Sequence, residues 1–174
     1  MDATMKRIIL IGAFFLVNTC SAFAFSCIGT SFIEDPIGQA FREASAVFSG
    51  KVVSAGYREG FSNQDMEEKM SLTGEEFSYQ VWVVTFEVER VWKGRRTESI
   101  NLVTARTRDD LNGEIFSSDD LDFELSQRYL IYAYGNEEQL GTGACSRTAI
   151  LSFAEEDLKR LGKGKKVAAS PISQ

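Results

Sequence analysis

The chain of 174 residues carries 25 acidic and 19 basic side chains and no histidine, for a net charge of −6. Such a chain repels nucleic acid and anionic lipid headgroups unless its basic groups cluster. The lack of histidine excludes Ser-His-Asp and Cys-His nucleophile systems and every His-containing zinc site, and leaves lysine or paired-carboxylate chemistry open.

The chain opens on an export signal. Lys6 and Arg7 are a short basic start, Ile8 to Val17 is an unbroken apolar run, and a polar patch leads to Ala22-Phe23-Ala24. An apolar run of this length is too short to cross a bilayer, which needs ~20 residues. Residues 1–24 are therefore expected to be removed between Ala24 and Phe25, with no integral membrane segment in the mature chain and a periplasmic or extracellular destination. Met5 fits the start of such a signal better than Met1. Loss of Asp2, Lys6 and Arg7 leaves 24 acidic and 17 basic side chains, net −7.

Cys20 leaves with the signal. Cys27 and Cys145 remain in an oxidising compartment, where two cysteines most simply pair. Closing a loop of ~100 residues contributes about 4.7 kcal/mol in the chain-entropy model. Two free buried thiols are the alternative.

Asp35-Pro36 is a helix start: the carboxylate accepts orphan amides, and proline has no amide to leave unpaired. Ile37, Ala40, Phe41 and Ala44 then form one apolar stripe, which predicts a helix over 36–46. Val47 to Ser54 reads as a strand, with Gly50 marking a bend or bulge. Tyr57 to Glu76 is polar and reads as a long loop with a helical turn at Asp65–Met70. Phe77 to Trp92 is the strongest strand, with Trp82, Val84, Phe86 and Val88 on one face and Thr85, Glu87 and Glu89 on the other. Lys93-Gly94 ends it. Ile100, Leu102 and Thr104 alternate in a third strand. Arg106 to Asp122 reads as a second loop, with Asn112-Gly113 a tight turn.

Tyr129 to Tyr134 is a fourth strand, in which some tyrosines are expected to face outward, and Ser146 to Leu151 a fifth. Ser152 to Glu155 fits a capping box, ahead of a helix whose stripe is Ala154, Leu158 and Leu161 and which stops at Gly162. The expected organisation is a domain over 25–162 and a disordered basic tail over 163–174. Five strands with one helix before and one after predict a mainly β, five-stranded OB-fold barrel with flanking N- and C-terminal helices; a sandwich is the alternative.

Several segments carry a resemblance. Ala40-Phe41, Val47 to Val52, Val84 to Gly94, Val103-Thr104-Ala105, Arg128 to Ala133 and Cys145-Ser146-Arg147-Thr148, in that order, resemble the tissue-inhibitor-of-metalloproteinases family. More broadly they are similar to netrin-like domains, especially bacterial single-domain ones. The similarity spans nearly the whole mature chain in short pieces. It implies an OB barrel. Family members open with Cys-x-Cys, and the animal inhibitors place the N-terminal amine and first carbonyl on a protease's catalytic zinc. Here Phe25 stands at the first cysteine's position, and no cysteine lies between Cys27 and Cys145. What matches is Cys27 as the second motif cysteine, with Cys145 as its implied partner. Phe25 and Ser26 are then the candidate partner- or metal-contacting N-terminus, and the implied partner is an extracytoplasmic zinc metalloprotease.

The other constellations read as structural. Asp119 to Glu124 lacks the glycine and spacing of a calcium loop. Glu67/Glu68 and Asp109/Asp110 are carboxylate pairs without further signal. Trp82, Phe86 and Trp92 would suit base stacking, but Trp82 and Phe86 share a face with core valines, and acidity and export oppose nucleic acid. Lys159, Arg160, Lys163, Lys165 and Lys166 make the C-terminus basic. The expected function is that of an exported, non-enzymatic module that binds a protein, with no cofactor and no metal of its own. A carboxylate-dependent hydrolase and a structural envelope protein without a specific target are the alternatives.

Overall fold

The computed structural model describes residues 34–59, 61, 64–74, 78–109, 113–115, 120–136 and 139–168. The expected signal, its cleavage point at Ala24 and Phe25, and the neighbouring Ser26 and Cys27 lie outside the described residues.

Helix α1 (Pro36–Glu43) begins as its sequence dictates. The Asp35 carboxylate accepts the Gly38 amide at 3.0 Å, and this bond chiefly holds its pKa below the ordinary value. Ile37, Ala40 and Ala44 are buried.

Strand β1 (Ala46–Arg58) is longer than its alternation predicted and absorbs Tyr57 from the expected loop. It pairs antiparallel with β2 (Tyr79–Lys93) on one side and with β5 (Arg128–Gly135) on the other. Register shifts fall at Val47/Phe48, Ser49/Gly50 and Val52/Ser54. Gly50 is the crowded point: a Cβ there would lie 2.7 Å from the Glu87 carbonyl oxygen, so only a bare backbone lets the strands approach this closely.

The rest of the first predicted loop holds helix α2 (Gln64–Thr73) instead of a single helical turn. The second predicted loop is also corrected. Strand β3 (Ser99–Asp109) continues past Arg106, pairing Thr107, Arg108 and Asp109 with Val81, Gln80 and Tyr79 of β2. Asp109 then faces Gly113 in the short strand β4 (Gly113–Ile115). Arg106, Arg108 and Asp109 interrupt the apolar alternation, which hid these residues from a search for it.

The last predicted strand shrinks to β7 (Ala149–Ile150), followed by a 3-10 turn at Leu151–Phe153. Ser152 sits inside that turn and caps nothing. Helix α3 (Glu155–Leu161) starts after Ala154, which gives no side-chain cap, and stops at Gly162, where φ is 75°. Residues 163–168, assigned above to a disordered tail, are ordered. There β8 (Lys165–Lys166) pairs with Arg90 and Val91, and the Val167 amide donates to the Glu89 carbonyl at 3.1 Å.

The fold is mainly β. β3, β2, β1, β5 and β6 (Leu140–Gly141) form a hydrogen-bonded ring of five strands. β6 closes it by pairing antiparallel with β5 and parallel with β3. Inside the ring Phe86 meets Phe48, Phe123 and Tyr129 edge-on, with centroids 5.4–6.2 Å apart.

A second apolar cluster, with Val47, Leu130 and Tyr132 at its centre, packs β1 and β5 against α1 and α3. β5 is therefore covered on both faces. Tyr129 and Tyr132 are both buried and Tyr134 half-buried, which corrects the expectation of an outward-facing tyrosine on that strand. A third cluster, Val81, Val83 and Val103 with Phe61, lies on the outer face of β2 and β3.

Candidate binding surface

Cys145 stands exposed in the turn between β6 and β7. Threonine and serine hydroxyls brace that turn. Thr142 Oγ1 donates to the Tyr132 carbonyl at 3.0 Å and lies 2.7 and 2.8 Å from the hydroxyls of Ser146 and Thr148. The Tyr132 amide donates to Thr148 Oγ1 at 3.0 Å, and the Ser146 amide to the Gly143 carbonyl at 3.0 Å.

Arg147 adopts φ 63°, an uncommon backbone for a side-chain-bearing residue. Its guanidinium grips Asp157 of α3 through two bonds of 2.9 and 2.7 Å, and the buried Tyr132 phenol donates to the same carboxylate at 2.8 Å. Burial, and then the Asp157 charge it donates to, pushes the Tyr132 pKa far above its ordinary value; Asp157 raises that of Arg147. The residues flanking Cys145 are thus tied to β5 and to α3. A chain segment cross-linked at Cys145 would be fixed to a rigid wall.

A cluster of aromatic rings and arginines forms where the far end of β1 meets β2 and β3. Tyr57 packs edge-on against Trp82 at 4.9 Å, as their paired positions in the β1–β2 register require. Arg108 lies over the Tyr57 ring at 4.1 Å and Arg106 over Trp82 at 5.0 Å. Arg106 also pairs with Asp120 and Asp122 at 2.8 and 2.7 Å. Burial disfavours its charge, but the two carboxylates outweigh this and raise its pKa. Arg, Tyr and Trp are the residues enriched at protein interfaces.

A groove of about 680 Å³ opens where the ring is joined most thinly, between the start of β3 and the turn from β5 to β6. Ile100, Leu140 and Phe61 give it apolar walls, and Thr97, Asn101 and Asn136 give it polar ones.

The predicted sites fare unevenly. Phe25, Ser26 and Cys27 lie outside the described residues. Asp120 and Asp122 of the acidic run serve Arg106 and do not converge as ligands. Among the described residues no group of three or more potential metal ligands converges. Glu67 and Glu68 are exposed neighbours on α2, one residue apart, and do not face each other. Asp110 and the Asp109 side chain lie outside the described residues.

Trp92 parts from Trp82 and Phe86. It packs toward α3, and its indole donates to the Gly162 carbonyl at 2.9 Å, so the three rings make no platform. The Asp157 network was missed, though it left one trace. Ala154, Asp157, Leu158 and Leu161 are spaced i, i+3, i+4, i+7, which puts an acid on the buried stripe. Arg106 and Arg108 left none beyond their charge.

Among the described residues no helix is long and apolar enough to cross a membrane. No model of a known protein family matches the chain, and no curated protein matches it either.

Proposed function

We propose that this chain is an exported, non-enzymatic binding module: a five-stranded OB-type barrel of the netrin-like kind whose mature N-terminus, beginning at Phe25 and stapled through Cys27 to Cys145, contacts a protein partner. The ring order β1-β2-β3-β6-β5, antiparallel except at β3–β6, supports the barrel assignment, because a five-stranded Greek-key closure needs such an arrangement. The observation that carries the functional reading is the Cys145 turn. Its hydroxyl braces and the Arg147–Asp157–Tyr132 network give a pendant N-terminal segment a fixed attachment point. Such preorganisation lowers the entropic cost of binding. The half-buried arginine–aromatic cluster, with Arg108 exposed at its edge, supplies further contact chemistry.

N-terminal sequencing and intact mass of the exported protein test the first half. They should give Phe25 as the first residue and a mass two hydrogens below that of the dithiol. Inhibition of a panel of extracytoplasmic zinc metalloproteases tests the partner class. Mature protein starting at Phe25 is compared with the same protein carrying one extra residue in front. Inhibition lost on extension supports contact of the terminal amine with zinc, whereas equal potency excludes it. Saturable capture of a protein from envelope extract supports the wider reading. An empty capture combined with substrate turnover would favour the carboxylate-dependent hydrolase.

A further inference from the structure

Among the described residues the backbone lining the groove is left partly unpaired. The Val88 amide donates to the Glu98 carbonyl at 2.8 Å, and Glu87 faces Ser99 in the β2–β3 register. In an antiparallel pair the residues directed at the partner alternate. Glu98, Ile100 and Leu102 therefore turn their backbone groups toward β2, and Ser99 and Asn101 turn theirs to the opposite side. On that side β6 pairs with Leu102 and Val103, and since Leu102 faces β2 this parallel register runs through the Asn101 carbonyl, which takes the Leu140 amide. Among the described residues no strand takes the Ser99 amide and carbonyl or the Asn101 amide there, and this stretch lines the groove. Ala46, Ile100 and Leu140, all part of the packing inside the ring, are reached through the same gap. Among the described residues no strand fills this place in the wall, and apolar side chains lie beneath it.

We infer that this seam is a docking site for an extended peptide segment of a partner protein, which adds a strand beside Ser99–Asn101 and sets an apolar side chain against Ile100, Leu140 and Phe61. The occupant follows from the chemistry of the walls. A row of outward-directed amide and carbonyl groups is satisfied in register only by another extended backbone. The groove volume falls within the ~300–1,000 Å³ typical of pockets that enclose a ligand. The free edge that a second copy would offer is the same Ser99–Asn101 stretch, recessed in its own groove, and a small apolar molecule would leave the backbone groups unpaired. This inference rests on the proposed binding role and names the kind of segment bound.

The test selects linear octapeptides from a random display library on the folded protein and then measures amide hydrogen exchange with the best peptide bound. The expected result is slowed exchange at Asn101 and Ser99. Methylation of alternate peptide amides should weaken binding by about tenfold or more, the loss of roughly one to two backbone hydrogen bonds. Thr97→Trp, at the rim, fills the groove and should weaken binding similarly. Asn101→Trp is a second groove-filling variant in case the first does not fold. Peptides that bind without protecting Asn101, or equally well to both filled variants, would overturn the inference. So would a selection that yields no binder, or sedimentation showing that the groove closes by self-association. Envelope capture is run in parallel with wild type and Thr97→Trp. A partner captured equally by both refutes the seam but leaves the binding role standing. A partner captured by neither, with peptides still protecting Asn101, refutes that role and leaves the seam.

Discussion

Asp157 is 6% exposed and takes three hydrogen bonds, from Tyr132 and twice from Arg147. Removing one partner of a buried charged network leaves the others desolvated without compensation, which is the expensive way to break it. Arg147 is partly solvated, which moderates the loss. Asp157→Ala is expected to cost about 2–4 kcal/mol in urea unfolding, and Tyr132→Phe about 1–2 kcal/mol. The phenol adds a pH signature. Its folded pKa lies above the ordinary value of 10.0, so the folded state binds the proton more tightly than the unfolded state. The Tyr132 contribution is complete below pH 10 and declines as pH rises above it. Wild type should therefore lose stability in alkali more steeply than Tyr132→Phe, as equilibrium unfolding at pH 8 and above 10 would show. Equal slopes would mean that the phenol is not held protonated by this site.

At the scale of elements, β8 shows how a two-residue strand protects a sheet. β2 is covered by β3 as far as Glu87, and beyond that by β8 at Arg90 and Val91. Arg90 donates to the Lys163 carbonyl at 2.7 Å, and Val167 packs against the apolar cluster inside the ring. The outermost residues, Lys165 and Lys166, are exposed lysines, the side chains that discourage pairing with another chain. Ending the chain at Lys163 is expected to cost about 1–2 kcal/mol through lost packing and backbone bonds. It should also produce self-association visible by sedimentation. A truncated protein that melts at the wild-type temperature as a monomer would contradict this role. The same elements mark what was legible in sequence. α1, the paired faces of β2 and the β5 strand follow from local capping and alternation, which one segment carries by itself. β8, the far halves of β1 and β3, and β4 are set by a partner strand, and their own residues carry no apolar alternation. α2 carries no apolar stripe that would separate it from loop. Serine at 152 satisfied the pattern of a capping box, yet the 3-10 turn moved the helix start beyond it.

For the whole molecule, the open question is how far the ring depends on its expected staple. The described apolar clusters draw on residues from Ala40 onward, well past Cys27. The Cys145 turn is braced by hydrogen bonds that involve no sulfur. The ring should therefore stand without the disulfide, and the pairing of Cys27 with Cys145 should act mainly by restricting the unfolded chain and holding the segment before Asp35. Removing a native disulfide from a small secreted domain typically costs about 2–5 kcal/mol. Cys145→Ser in the mature protein is expected to lower the unfolding free energy by an amount in that range while keeping the near-ultraviolet dichroism of Trp82 and Trp92 at 25 °C. Cleavage by a nonspecific protease ahead of Asp35 should become faster, with the remainder resistant. Collapse of the tryptophan signal together with N-terminal cleavage would make the staple a requirement of the ring. No change in either stability or cleavage would refute the pairing, and with it the fixed N-terminus on which the proposed binding mode depends.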